Sequence, residues 1–158
     1  MQTRIGALLA ALFGAIVTTS VAAAQPPPCG DAPLEGERVA LLIGNSAYND
    51  WEWPSLKNAV NDIDYVCAAF AKAGITPRIV RNADMPTLDA ALTRFAGEAA
   101  GAKSVIIYYA GHGFEYGGRN WLGPMEAPPA TRRADVEKRY LSIEAALKRV
   151  VPAGAFTL

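Results

Sequence analysis

The 158-residue chain carries 15 Lys+Arg against 15 Asp+Glu, with 51% hydrophobic and 19% charged residues, which allows one packed domain and excludes wholesale disorder. Zero formal net charge argues against a broad nucleic-acid footprint, and two Cys with one His cannot build a zinc-finger framework.

The first segment reads as a targeting signal. Arg4 gives a thin positive start, an apolar stretch runs from Ile5 to Val17, and small residues at Ala22 and Ala24 suit cleavage before Gln25. The apolar core spans ~13 residues, short of the ~20 that a membrane span needs; an uncleaved anchor is the alternative reading. Residues 1–24 are thus expected to be a signal peptide, and no Leu-x-x-Cys box precedes Cys29. Export implies a secreted or periplasmic protein in an oxidising compartment, with no stable membrane association once the signal is cleaved. Residues 25–37 read as a Pro-rich, extended leader. Cys29 lies in it and has Cys67 or another chain as its possible partner.

From Arg38 on, strand and helix patterns alternate. Arg38–Gly44 (RVALLIG) is a continuous apolar run, suited to a strand buried on both faces of a parallel sheet. Over Asn58–Ala73, apolar residues at Ala59, Ile63, Val66, Cys67 and Phe70 fall on one helix face, with Gly74 as the stop. Cys67 on that face reads as a small buried core thiol. Ile75–Val80, interrupted by Pro77, predicts a peripheral strand. Asp84 caps the next helix and Pro86 lies in its first turn, while Leu88, Leu92, Phe95 and Ala99 form its buried face. Ser104–Tyr109 (SVIIYY) is the second strong strand. Phe114–Leu122 predicts a hairpin turning at Gly117-Gly118. Arg132-Arg133 reads as a solvated surface turn. Ser142 caps a third helix, with Glu144 in its first turn and Lys148 and Arg149 in its last; Ala155–Leu158 begins a further apolar segment. The rhythm predicts an α/β domain, a mostly parallel sheet with helices on both faces.

In such sheets, ligands bind outside the carboxyl ends of the strands, here after Ile43 and after Tyr109. The second of these ends carries Ala110-Gly111-His112-Gly113, with the chain's one His between two glycines. His112 suits proton transfer near neutrality, and the Gly113 amide is a candidate donor to a developing oxyanion; a His that only hydrogen-bonds in a tight loop is the plainer reading. The first end leads through Gly44-Asn45-Ser46-Ala47-Tyr48 to Asn61 and Asp62 in the first turns of the helix. Asp62 either favours the helix N-terminus or presents a carboxylate to a cationic substrate group. The turn after the first strand has neither G-x-G-x-x-G nor G-x-x-x-x-G-K-[ST], which argues against nucleotide binding. Trp51, Trp53 and Trp121 read as cover for sheet ends or a rim.

RVALLIGNSAY, LKNAVNDI and IIYYAGHGFEYGGRNWLGP together resemble the caspase-like cysteine peptidases, in particular their bacterial metacaspase-type branch, over roughly Arg38 to Leu158. The resemblance implies a three-layer caspase-like α/β sandwich, a peptide or protein substrate, and a Cys-His dyad cleaving after Arg or Lys. It makes His112 the catalytic His, gives Gly113 the oxyanion amide, and gives Asp62 the basic side chain before the scissile bond. No cofactor is implied; calcium activates some relatives, but no EF-hand-like loop is visible.

The nucleophile is the difficulty. In caspases it follows the catalytic His by ~50 residues, which counts to roughly position 160. Cys67 is expected in the core and Cys29 in the leader, and Ser46 lacks a nucleophile elbow. Residues 38–158 are therefore expected to be a caspase-like catalytic domain ending just before its nucleophile and inactive as that fragment. The alternative is a non-catalytic relative that uses the same groove to hold a peptide.

Overall fold

The computed structural model describes residues 29–30, 33–34, 36–49, 52–127 and 133–157; the expected signal peptide, Trp51, Arg132 and Leu158 lie outside them. Strand β1 (Arg38–Gly44) is buried at every position but Arg38. Its side chains divide by parity, as the two-residue strand period requires. Val39, Leu41 and Ile43 enter one core with Leu88, Leu92 and Phe95 of α2 (Met85–Glu98) and Ala146 and Val150 of α4 (Ile143–Val150). Ala40 and Leu42 enter the other with Ile63 and Cys67 of α1 (Ala59–Lys72). The sheet is thus sandwiched between α1 on one face and α2 with α4 on the other, the three-layer α/β architecture expected.

The sheet is parallel, in the order β2-β1-β3-β7, where β2 is Thr76–Arg81, β3 Ser104–Ala110 and β7 Phe156–Thr157. The Pro77 strand takes an edge, where a missing N–H is tolerated. Asp84 caps α2 by accepting from Thr87 N at 2.9 Å, and Ser142 caps α4 by accepting from Ala145 N. A second, antiparallel sheet, β4-β5-β6, contains the expected hairpin: β4 (Gly113–Tyr116) and β5 (Arg119–Leu122) turn at Gly117 and Gly118, both at positive φ. Its third strand, β6 (Leu141–Ser142), follows helix α3 (Arg133–Arg139). Trp121, Val136 and Tyr140 form a third apolar cluster there. Among the described residues no helix is long and apolar enough to cross a membrane.

Two expectations need correction. Arg133 opens α3 rather than lying in a surface turn. Cys67 packs in the α1 core as expected, but it is not a free thiol: it is disulfide-bonded to Cys29, with Cα atoms 6.0 Å apart. Gly30 makes a parallel bridge to Arg78 of β2, which brings the preceding residue to the outer edge of the α1 layer.

Candidate active site

Two loops meet at the carboxyl ends of the central strands, one after Gly44 and one after Ala110. Asn45 N–H donates to Ala110 O at 2.8 Å and joins them. The Asn45 side chain is fully buried; its Nδ2 donates to Ala83 O and Gly123 O, and its Oδ1 accepts from Ala83 N. A Cβ on Gly44 would stand 2.8 Å from Ala59 O and 2.8 Å from Ile63 Cδ1, so the glycine lets α1 seat directly against the end of β1. The residue before α1, Asn58, makes no side-chain cap bond; Ser46 Oγ instead accepts from Val60 N at 3.1 Å. Asp62 therefore stands in the first turn of a helix whose N-terminus is fixed to this strand end.

His112 is held at both backbone groups. Its N–H donates to Tyr48 Oη at 3.0 Å, and its carbonyl accepts from Gly123 N and from Tyr109 Oη, each at 2.8 Å. Tyr48 and Tyr109 hydroxyls are 3.1 Å apart, and each is 2.9 Å from Gly123 O. A Cβ on Gly111 would lie 2.7 Å from Tyr48 Oη and against the Tyr109 ring, so only glycine admits both tyrosines beneath this turn. The half-buried imidazole places Nε2 2.8 Å from Pro54 O. A carbonyl oxygen only accepts, so Nε2 carries the proton and, in the neutral ring, Nδ1 keeps its lone pair.

Gly113 opens β4. Gly123 N donating to His112 O makes positions 112 and 123 a hydrogen-bonded pair. By antiparallel alternation the next pair, Gly113 and Leu122, is non-hydrogen-bonded. The Gly113 N–H thus points away from β5, off the edge of the three-stranded sheet. A Cβ at 113 would fall 2.9 Å from Trp121 O.

Of the three residues singled out in the sequence, His112 and Gly113 are consecutive and follow β3 directly, while Asp62 lies in the first turn of α1. That turn is tied to the loop after β1 by Ser46 Oγ at Val60 N, and the same loop carries Tyr48, which holds the His112 N–H. Sequence reasoning missed the supports. Tyr48 lies in the quoted motif without a role and Pro54 in a loop, and Trp53, read as cover for a sheet end or a rim, covers the end of β3 with its ring centroid 5.3 Å from that of His112. Both cysteines are spent in the disulfide, and Ser46 Oγ is engaged as a cap. Among the described residues no group of three or more His, Cys, Asp or Glu is placed to hold a metal ion.

Burial raises the Tyr48 and Tyr109 hydroxyls above the ordinary tyrosine value of about 10. For Tyr109 the neighbouring Tyr48 adds to the shift. Groups whose folded pKa lies above the unfolded one contribute stability that is intact below the unfolded pKa and is lost as pH rises above it. Unfolding free energy is thus expected to fall steadily above pH ~10. In urea titrations at pH 8 to 11.5, Tyr48→Phe/Tyr109→Phe should show a shallower alkaline slope than the parent; an equal slope would place the alkaline loss elsewhere.

The family model described as "Caspase domain" matches residues 37–144, more than half of the chain and all of the elements that build this site. Among curated proteins, the chain is 32% identical over 98 residues to the mouse (Mus musculus) mucosa-associated lymphoid tissue lymphoma translocation protein 1 homolog, covering 61% of this chain and 11% of that protein. It is 32% identical over 108 residues to the human (Homo sapiens) mucosa-associated lymphoid tissue lymphoma translocation protein 1, covering 62% of this chain and 12% of that protein. The chain thus spans about a ninth of the length of these relatives.

Proposed function

The chain belongs to the caspase-domain family, and from that premise we propose that it is the His-bearing part of a cysteine endopeptidase that cleaves after Arg or Lys. The observation that carries this reading is the His112 imidazole at the carboxyl end of β3 with Nε2 committed to the Pro54 carbonyl. Nδ1 is then the atom that exchanges a proton with the nucleophile. A Cys thiolate adds to the scissile carbonyl, and the Gly113 N–H donates to the resulting oxyanion. His112 protonates the leaving amine; water, deprotonated by the same imidazole, then releases the acyl group. Asp62 pairs with the basic side chain before the scissile bond.

The thiolate comes from neither Cys29 nor Cys67. β7 runs parallel to β3, with Ser104 opposite Phe156 and Val105 opposite Thr157. Continued in that register, a chain reaches the level of Ala110 about five residues past Thr157, and a cysteine following that strand would arrive beside the His112 turn. The disulfide also supports the export reading, since such bonds persist in oxidising compartments: the domain works outside the cytoplasm, secreted or periplasmic, on peptide or protein substrates.

The test is hydrolysis of fluorogenic peptides ending in Arg, Lys or Asp by the protein extended through the first cysteine after Thr157. Arg and Lys peptides should be cleaved. Asp62→Ala should lower kcat/KM on them ~30-fold or more, the equivalent of about 2 kcal/mol for one lost charge pair. A second reading, a peptide-holding module without turnover, is favoured by the sequestration of both cysteines. It predicts Arg-peptide binding, weakened by Asp62→Ala, and no cleavage by the extended protein.

A further inference from the structure

Trp53 has no part in the steps just described, yet it is built into the site. Its indole is tilted 32° to the His112 ring at 5.3 Å between centroids. Tyr48 meets the same imidazole at 4.6 Å and 63°, and Trp53 and Tyr48 are in edge contact at 5.8 Å. Beyond the imidazole the indole rests on Phe114 and Tyr140, at 6.1 and 5.5 Å. A Cβ on Gly123 would overlap the indole's six-membered ring, so the backbone opposite Trp53 is cleared for it.

The next residue, Pro54, supplies the carbonyl that Nε2 reaches. One dipeptide therefore constrains the ring in two independent directions, in its plane by a hydrogen bond and out of it by the indole. The dipeptide is itself held. Leu56 N donates to Ser46 O at 2.9 Å and closes the loop, and a residue that precedes proline is confined to extended backbone.

We propose that Trp53 is a positioning residue for His112: it clamps the imidazole against rotation and shields the Nε2–Pro54 bond from water, so that Nδ1 stays the acceptor. This rests on the peptidase reading for its purpose, but not for its test. Because the chain has one His, its ring resonances need no assignment among several. In 15N-labelled protein the parent should show a single Nε2–H tautomer with a slowly exchanging Nε2 proton, and ring protons moved upfield by the two aromatic neighbours.

Trp53→Ala should mix the tautomers and speed Nε2–H exchange at least tenfold, and Trp53→Phe should restore most of the parent behaviour. Trp53→Leu, which fills space without an aromatic face, should resemble the alanine variant. Thermal unfolding of each variant separates a loosened ring from a lost fold. If Trp53→Ala does not fold, the Phe and Leu variants decide. Unchanged tautomer and exchange in a folded Ala variant, or equal behaviour of Phe and Leu, overturns the clamp. No peptide is cleaved in this measurement, so such a failure leaves the peptidase reading standing, and absent turnover leaves the clamp standing.

Discussion

Cys29→Ser is expected to lower the unfolding free energy by about 3–4 kcal/mol, the loop-closure entropy of a cross-link over some tens of residues. The bond joins residues 38 apart in sequence, and the loop it closes contains all of β1 and the first half of α1. Cys29 is exposed, so its substitution removes the cross-link and leaves the core intact. Cys67→Ser should cost more, because Cys67 is fully buried beside Leu42 and Ile63 and a hydroxyl there needs a partner. Urea unfolding of the parent with and without dithiothreitol and of Cys29→Ser tests this: the reduced parent should match the variant. Equal midpoints for oxidised parent and variant would show that the bond contributes nothing. Against a usual total of about 5–15 kcal/mol, the loss makes stability depend on the redox state of the compartment.

Asn45→Ala is expected to cost about 3 kcal/mol. The substitution removes three hydrogen bonds at a fully buried position; Ala83 N–H is orphaned, a loss worth about 1–3 kcal/mol by itself, while Ala83 O keeps the Met125 N–H. Gly123 O keeps its tyrosine hydroxyls, so its share is small, whereas the Ala83 amide loses its acceptor. Asn45→Asp keeps that acceptor but turns a second oxygen toward two carbonyls, and should be at least as damaging. Denaturant melts give both values; a loss below 1 kcal/mol for alanine would mean that water replaces the amide. The effect reaches the site, because Gly123 also fixes the His112 carbonyl.

The central sheet was legible because β1 and β3 are apolar at successive positions, a pattern that suits burial on both faces. His112 was legible because two glycines bracket it at a strand end. Its partners were not: Pro54 is 58 residues away, and Trp53 comes from a loop with no periodicity to read. Helix α3 is not legible because its seven residues are mostly charged and Val136 is the one buried among those of residues 134–139, too short a face for a helical period. The disulfide was one of two open pairings, and the choice depended on where the leader crosses the edge of β2, a tertiary fact.

The most direct measurement is covalent trapping. The protein extended past Thr157 is treated with an Arg-bearing chloromethyl ketone and the labelled residue is located by mass spectrometry. On the proposed reading, labelling is predicted at a cysteine beyond β7, lost in His112→Ala and untouched by Cys29→Ser. A label on Cys29, Cys67 or Ser46, or one that His112→Ala leaves undiminished, would contradict the assignment of the imidazole as the proton-transfer partner of that cysteine.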